Sequence, residues 1–97
     1  MSGQPNEITY DDDFWKDAKY LPKKAQDKLG FLIELMRKDA FDPRLHTKRL
    51  GVPLQDAFSF RITRDYRVGF IFLAPRVIKL LAVDSRDKIY KRLSRKI

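Results

Sequence analysis

The arginines between Phe58 and Tyr90 occur in a pattern that could create a phosphate-binding site on a β-sheet. This segment reads FSFRITRDYRVGF, then LAPR, then VIKLLAVDSRDKIY. Alternation of apolar and polar residues is typical of strands with one buried face. Arg61 and Arg67 occupy polar positions of this pattern, and the N–H groups of a guanidinium match the oxygen atoms of a phosphate. The pattern therefore predicts that strands position a pair of arginines for anion binding.

The turn between the first two predicted strands decides where these arginines point. In the strand Ala57–Thr63, Ile62 shares a face with the phenylalanines, whereas Arg61 lies on the opposite face. A two-residue loop would pair Ile62 with Arg67 and bury the guanidinium, which costs several kcal/mol when it has no partner. We therefore predict a three-residue loop, Thr63–Asp65, that pairs Arg61 with Arg67. Both side chains then lie on the face away from the helices, called the arginine face below.

The next turn extends the same sheet. A strand at Tyr66–Leu73 is followed by a turn at Ala74–Arg76, since Ala-Pro is a turn signal, and by a strand at Val77–Val83. Gly69 lies beside the arginine pair, and we expect it to leave room for a ligand to approach the backbone. Applied to this second hairpin, the same reasoning places Ile78, Leu80 and Ala82 on the helix-covered face, and Lys79, Leu81 and Val83 on the arginine face.

The rest of the chain is predicted to cover one face of this sheet. Glu7–Tyr10 is rich in β-branched and aromatic residues and predicts a short strand. Apolar residues at helical spacing predict helices at Asp12–Tyr20 and from Pro22 to about Lys38, and their short connection makes them an antiparallel αα-hairpin. The following LHTKRLGVPL has no clear period and is interpreted as an ordered loop.

The predicted fold class is α+β. An N-terminal strand and an αα-hairpin pack on a mainly antiparallel sheet of three or four strands, followed by a basic C-terminal arm or short helix. A length of 97 residues suits a single domain over residues 1–97. The absence of cysteine excludes disulfides and thiolate metal sites. The polar, acidic N-terminus is unlike a signal peptide, and no apolar run is long enough to span a bilayer, so we expect a cytoplasmic protein with no membrane association.

The charge of the chain favours an anionic partner. The formal net charge is +8, and the basic residues concentrate at the C-terminal end, whereas the first 13 residues carry only acidic ones. Such a field attracts nucleic acid, an acidic protein segment or an anionic surface. One alternative is that the basic C-terminal residues only keep the protein soluble. Another is that Arg61 and Arg67 each form an ion pair with an acid such as Asp65, Asp84 or Asp87.

Three motifs together resemble a known family. FRITRDYRVGF, then VIKLLAV, then the R-x-x-x-Y spacing of Arg86 and Tyr90 resemble the RelE/ParE superfamily of bacterial toxins from toxin–antitoxin pairs, and more closely its RelE-like branch. The resemblance extends from about Ile8 to Tyr90. It implies a ribosome-dependent endoribonuclease that cuts mRNA without a metal or other cofactor, by attack of the ribose 2′-hydroxyl on the adjacent phosphate. It also implies an antitoxin that blocks or displaces the catalytic groups.

The resemblance implies roles for four residues. By position, Arg67, Arg86 and Tyr90 match the family's strand arginine, later arginine and C-terminal tyrosine, and Arg61 matches a basic strand residue. Arg61 and Arg67 would hold phosphates, Arg86 would stabilise transition-state charge, and Tyr90 would act as a base or stack on a nucleotide base. The residues predicted to contact RNA are Lys48, Arg49, Lys79, Lys91 and Arg92.

One departure from the family pattern keeps other functions open. Many relatives have a histidine where this chain has Ser85, and its single histidine, His46, lies in the loop before the sheet. Without that base, catalysis would depend on Tyr90, or on positioning and charge stabilisation. One alternative is a ParE-like inhibitor of DNA gyrase without RNase activity. Another is a basic RNA-binding module that is not toxic.

Overall fold

The computed structural model describes residues 4–97 and shows one sheet between two layers of helix. The predicted domain begins at residue 1, so residues 1–3 lie outside the described part of the chain. No helix in the described part is long and apolar enough to cross a membrane. In chain order the elements are β1 (Glu7–Tyr10), α1 (Phe14–Lys19), α2 (Lys23–Lys38), a 3-10 helix (Pro43–Leu45), β2 (Lys48–Arg49), β3 (Ala57–Arg61), β4 (Tyr66–Ala74), β5 (Val77–Ser85) and α3 (Ile89–Ser94).

The strand order in the sheet is β1-β5-β4-β3-β2, with β1 parallel to β5 and every other pair antiparallel. This confirms the predicted α+β class, but the sheet has five strands instead of three or four. The additional strand is β2, whose Lys48 and Arg49 pair with Ser59 and Phe58 of β3. Two residues are too few to show an alternating pattern, so the sequence predicts a loop here, whereas pairing along the free edge of β3 makes the segment a strand.

The first hairpin has the predicted register. Arg61 lies opposite Arg67, and Ser59 lies opposite Gly69. The backbone N–H of Ile62 donates to the carbonyl of Tyr66 at 3.0 Å, which closes the predicted three-residue loop. The energetic cost of burying Arg67 was therefore sufficient to predict this register from the sequence.

The second hairpin differs from the prediction because β5 contains a bulge. Leu80 pairs with Phe70 and Ala82 pairs with Gly69, so Leu81 has no direct partner. Ala82 consequently lies on the arginine face and Val83 on the helix-covered face, the reverse of what was predicted for these two residues. The bulge allows two consecutive side chains to be buried on one face, since Leu81 and Ala82 are 3% and 0% exposed and belong to the same apolar cluster.

A separate apolar core lies on each face of the sheet. The larger core packs α1 and α2 against side chains of β3, β4 and β5, including the fully buried Phe60 and Phe70. The smaller core packs Ile89 and Leu93 of α3 against Leu81 and Ala82. The smaller core thus covers part of the arginine face, while Arg61 on the same face is exposed.

The turn between α1 and α2 is held by one side chain. Pro22 precedes α2, and Gln26 in the first turn of that helix donates its amide N–H groups to the carbonyls of Ala18, Lys19 and Leu21, at 3.3, 3.0 and 3.2 Å. These hydrogen bonds satisfy carbonyls at the end of α1 that have no partner within that helix. The predicted αα-hairpin is confirmed, with α1 three residues and α2 one residue shorter than expected.

Gly69 does not leave room for a ligand, as the sequence suggested. A Cβ atom built at this position would overlap the side chain of Leu93, which is fully buried over the glycine. The missing side chain therefore makes space for α3, and the predicted ligand approach at Gly69 is wrong.

We expect Gly69→Ala to destabilise the fold by about 1–3 kcal/mol, because the added methyl group overpacks the contact with Leu93. The matched control is Gly30→Ala in α2, where nothing lies within 4 Å of the added atom. There the higher helix propensity of alanine should stabilise the protein by up to about 1 kcal/mol. Urea unfolding of both variants measures the difference, and equal free energies of unfolding would contradict this account of the glycine.

Candidate functional site

The loop of the first hairpin positions Arg67 through its backbone. Nη1 of Arg67 donates to the carbonyls of Thr63, Arg64 and Tyr66, at 2.8, 2.9 and 3.3 Å. Its other guanidinium nitrogens make no hydrogen bond within residues 4–97, and Arg67 is half-buried. Arg61, directly opposite, is exposed. The loop thus fixes one end of the Arg67 guanidinium and leaves the other end available to an anion.

The turn after β5 brings the C-terminal candidates to the same loop. The backbone N–H of Arg86 donates to the carbonyl of Asp65 at 2.8 Å, which joins this turn to the first hairpin. Tyr90 follows in the first turn of α3 and is 42% exposed. Because the apolar side chains of α3 are buried against the sheet, Tyr90 is held at the border between the smaller core and solvent.

The electrostatics of Arg67 show that the four predicted catalytic residues share one environment. Burial lowers the pKa of Arg67, and the positive charges of Arg61 and Arg86 lower it further. Tyr90 and Asp65 act in the opposite direction without reversing the shift. A cluster of like charges that is partly removed from water is unfavourable unless an anion compensates it. The arrangement is therefore one that a phosphate group would stabilise.

The acids that could have neutralised these arginines do not do so. Arg61, Arg67 and Arg86 form no ion pair with any acid within residues 4–97. Asp84 lies opposite Arg67 in the sheet, yet its carboxylate accepts from Nη1 of Arg92 at 3.1 Å and from the N–H of Ser85 at 2.7 Å. Asp84 therefore does not neutralise Arg61 or Arg67 in the structure.

Two of the predicted RNA contacts come from β2, on opposite faces of the sheet. Lys48 lies opposite Ser59, which places it on the arginine face, and it is exposed. Arg49 lies opposite Phe58 on the other face, and its Nε donates to the carbonyl of Gln55 at 2.8 Å. Of this pair, only Lys48 shares a surface with Arg61 and Arg67.

The other three predicted RNA contacts lie on β5 and α3. Lys79 is opposite Ile71, four residues along β4 from Arg67, a separation of roughly 13 Å along a strand. Lys91 is exposed and follows Tyr90 directly. Arg92 is half-buried and already bound to two carboxylates, Asp17 and Asp84. RNA contact by these residues stays a prediction, and the two ion pairs make Arg92 the least available of them.

Neither Ser85 nor His46 supplies a base beside the arginines. Ser85 lies opposite Tyr66, whose ring packs against the larger core, so its side chain position is on the helix-covered face. His46 ends the 3-10 helix with a left-handed backbone, φ 53°, and is exposed. The sequence did not reveal the role of Asp17 in α1, whose carboxylate binds Arg92 of α3 and the N–H of Val83 in β5. An acid in a helical segment gives no signal that it contacts a distant strand.

The comparisons with known proteins bear on the fold. No protein-family model matches this sequence, and a search of curated proteins also finds no match. Solved structures do match, although at low sequence identity. The YoeB/ParE toxin from Agrobacterium tumefaciens has a TM-score of 0.71 at 14% identity, over 82% of this chain and 98% of that one.

Two further structures match equally well. YafQ from E. coli strain BL21(DE3) has a TM-score of 0.71 at 16% identity, over 88% of this chain and 98% of its own. A chain of the archaeal RelE–RelB complex from Pyrococcus horikoshii OT3 has a TM-score of 0.70 at 19% identity, over 86% of this chain and 97% of its own. The chain has the RelE/ParE toxin fold. The RelE/ParE fold predicted from the strand motifs is thereby confirmed, although these identities do not reveal the function.

We expect phosphate to stabilise the protein through the arginine cluster. A stabilisation of about 1 kcal/mol would raise the thermal midpoint by roughly 4–8 °C in a domain of this size. In Arg61→Met the effect of phosphate should shrink, and in chloride this variant should be slightly more stable than the parent, because one of the repelling charges is gone. Thermal unfolding in phosphate and in chloride at equal ionic strength measures both effects.

Lys24→Met is the matched control, since Lys24 is an exposed cation on α2 without an ion pair among the described residues. Its response to phosphate should equal that of the parent. If both variants lose the phosphate effect equally, phosphate acts through the net charge and not through the arginine cluster.

Proposed function

We propose that this protein is the toxin of a toxin–antitoxin pair and that it cleaves mRNA on the ribosome. One observation carries the proposal: Arg61, Arg67 and Arg86, none of them in an ion pair within the described residues, cluster with Tyr90 on the open part of the sheet. The fold supports it, since it is shared with RelE, YoeB and YafQ toxins. A site of this composition suits a reaction in which negative charge develops on phosphate.

The proposed reaction is attack of a ribose 2′-hydroxyl on the adjacent phosphorus atom. The 2′-hydroxyl loses its proton as a bond forms between O2′ and phosphorus. The bond between phosphorus and O5′ breaks, O5′ takes up a proton from water, and the products are a 2′,3′-cyclic phosphate and a 5′-hydroxyl. Arg61 and Arg67 would bind the non-bridging oxygens, and Arg86 would stabilise the extra charge of the pentacoordinate transition state. Preorganised donors of this kind contribute more than any other single effect in many enzymes.

The Tyr90 hydroxyl is the proposed proton acceptor for the 2′-hydroxyl, or its ring stacks on the neighbouring nucleotide base. The ribosome would hold the mRNA in a reactive orientation, so the protein itself needs only a shallow site. Because the ribosome would orient the RNA, an exposed cluster of side chains on a sheet is sufficient, and a deep pocket is not required.

The proposed partner is an antitoxin with an acidic segment. The structures with the same fold include complexes of RelE with RelB and of YafQ with DinJ. Three uncompensated arginines would bind the carboxylates of such a segment, which would occupy the site and block RNA. The same electrostatic feature thus accounts for both the proposed substrate and the proposed inhibitor.

An alternative function, inhibition of DNA gyrase without RNase activity, is favoured by one observation. The only histidine, His46, lies in the segment before the sheet, and the position after Asp84 carries a serine on the helix-covered face. The site therefore lacks an imidazole, the usual proton acceptor near neutral pH.

We expect the protein to cut mRNA at codon-phased positions in a cell-free translation reaction. Tyr90→Phe should reduce the cleavage rate by about 10²–10⁴-fold if the hydroxyl accepts a proton. Arg86→Ala should reduce it by about 10²–10³-fold, through lost stabilisation of the transition state. Mapping of mRNA 5′ ends at successive times measures the rates.

Tyr20→Phe is the control, because Tyr20 is 88% exposed at the end of α1 and makes no side-chain hydrogen bond among the described residues. It should cut like the parent. Intact mRNA together with blocked supercoiling by DNA gyrase would exclude the RNase and support the alternative.

A further inference from the structure

The side of α3 that faces α1 is tied to the body of the protein by a bridge of three charged side chains. Arg92 of α3 donates from Nη2 to Oδ2 of Asp17 in α1 at 2.7 Å and from Nη1 to Oδ2 of Asp84 in β5 at 3.1 Å. The side chains of Arg92, Asp17 and Asp84 are only 28%, 15% and 24% exposed. We call these three residues the α1–β5–α3 bridge. Ion pairs withdrawn from water to this degree are screened little by salt.

The bulge in β5 makes this bridge possible. It moves Asp84 to the arginine face, where α3 packs, whereas the unbulged register would have turned it toward the helix-covered face. β1 ends at Tyr10, opposite Leu80, so the side of β5 that β1 pairs with has no strand partner at Val83. The N–H of Val83 donates instead to Oδ2 of Asp17 at 3.2 Å. Asp17 therefore joins the edge of β5 and α3 through one carboxylate oxygen.

Opposing effects act on Arg92. Burial lowers the pKa of Arg92, but hydrogen bonds and charge from Asp17 and Asp84 outweigh it, so the net shift is upward. The carboxylates thus more than compensate the loss of hydration. Removing Arg92 would leave Asp17 and Asp84 partly buried without their cation, which is unfavourable.

A second set of charged contacts connects the C-terminal segment to the start of α1. Nζ of Lys96 lies 2.7 Å from Oδ2 of Asp11 and 3.3 Å from Oδ2 of Asp13, at the start of α1. The hydrogen bond to Asp11 raises the pKa of Lys96, as expected for a favourable contact. Since α3 has only six residues, it would not be stable as an isolated helix, and its place depends on such tertiary contacts.

We propose that Asp17, Asp84 and Arg92 act as positioning residues for Tyr90. Tyr90 is two residues from Arg92 on the same short helix, so the angle at which α3 docks sets where the phenol lies relative to Arg61 and Arg67. Leu93 fixes the depth of the helix over Gly69, and the bridge fixes its rotation. This inference rests on the proposed function, and it assigns Arg92 to positioning in place of the predicted contact with RNA.

The test compares two arginines of the same segment. Arg92→Met removes the cation and keeps much of the apolar stem, whereas Arg95→Met removes an equal charge from an exposed arginine with no ion pair among the described residues. We expect Arg92→Met to lower kcat for ribosome-dependent cleavage about tenfold with KM nearly unchanged, because misorientation of a reacting group reduces the rate and not the binding. Arg95→Met should alter kcat less than about twofold.

Hydrogen exchange gives a readout that does not depend on cleavage. Backbone amides of α3 should exchange about tenfold faster in Arg92→Met than in Arg95→Met, while amides of β4 stay protected. Asp17→Asn, which keeps an oxygen acceptor for Val83, should change exchange and kcat in the same direction, and Arg92→Lys should restore part of both. The control for Asp17→Asn is Asp12→Asn, because Asp12 is an exposed acid without an ion pair among the described residues.

The outcomes separate this proposal from the proposed function. If Arg92→Met raises KM alone, Arg92 binds RNA and the positioning role is wrong. If its kcat and α3 exchange match those of Arg95→Met, the bridge does not position α3. If the parent protein cuts no mRNA, the proposed function fails, and the exchange rates alone then support or overturn the positioning of α3.

Discussion

The contact between Leu93 and Gly69 is the constraint on which the candidate site depends. A six-residue helix cannot hold its own conformation in water, so α3 is ordered by what it packs against. Leu93 enters the space that any side chain at residue 69 would occupy. Once this contact is made, Ile89 joins the smaller core, and Tyr90 and the turn at Arg86 lie next to the first hairpin. The site is therefore a product of tertiary packing more than of local structure.

The same sheet carries an electrostatic cost that packing must offset. Arg61 and Arg67 face each other across two paired strands, and Arg86 adds a third positive charge. Like charges directly opposite one another in a sheet are destabilising, each by a fraction of a kcal/mol. A structure selected for stability alone would place an acid there, and Asp84 is in register to serve. Its carboxylate binds Arg92 instead, so no acid in the sheet compensates the charges of Arg61 and Arg67.

Much of the sheet was predictable because burying a charge is expensive. That single cost selected the three-residue loop, and with it the register that pairs Arg61 with Arg67. It did not predict the bulge at Leu81, because both registers bury apolar residues there and the predicted strand ended at Val83, one residue before Asp84. The strand β2 could not be predicted either, because two residues are too few to show an alternating pattern. This strand forms only because the edge of β3 is free to pair with it.

The role of Gly69 was also not predictable from local sequence, because it depends on Leu93 of α3. A glycine beside two arginines leaves room for a ligand only if no other side chain fills the space above it. Here a side chain of α3, a helix some twenty residues away in sequence, fills that space. The Asp17–Arg92 pair, 75 residues apart in sequence, is likewise invisible to periodicity. Both features depend on how α3 docks, which is a property of the assembled fold. Local patterns thus predicted that Arg61 and Arg67 lie opposite each other on one face of the sheet, whereas long-range contacts determine how α3 lies beside them.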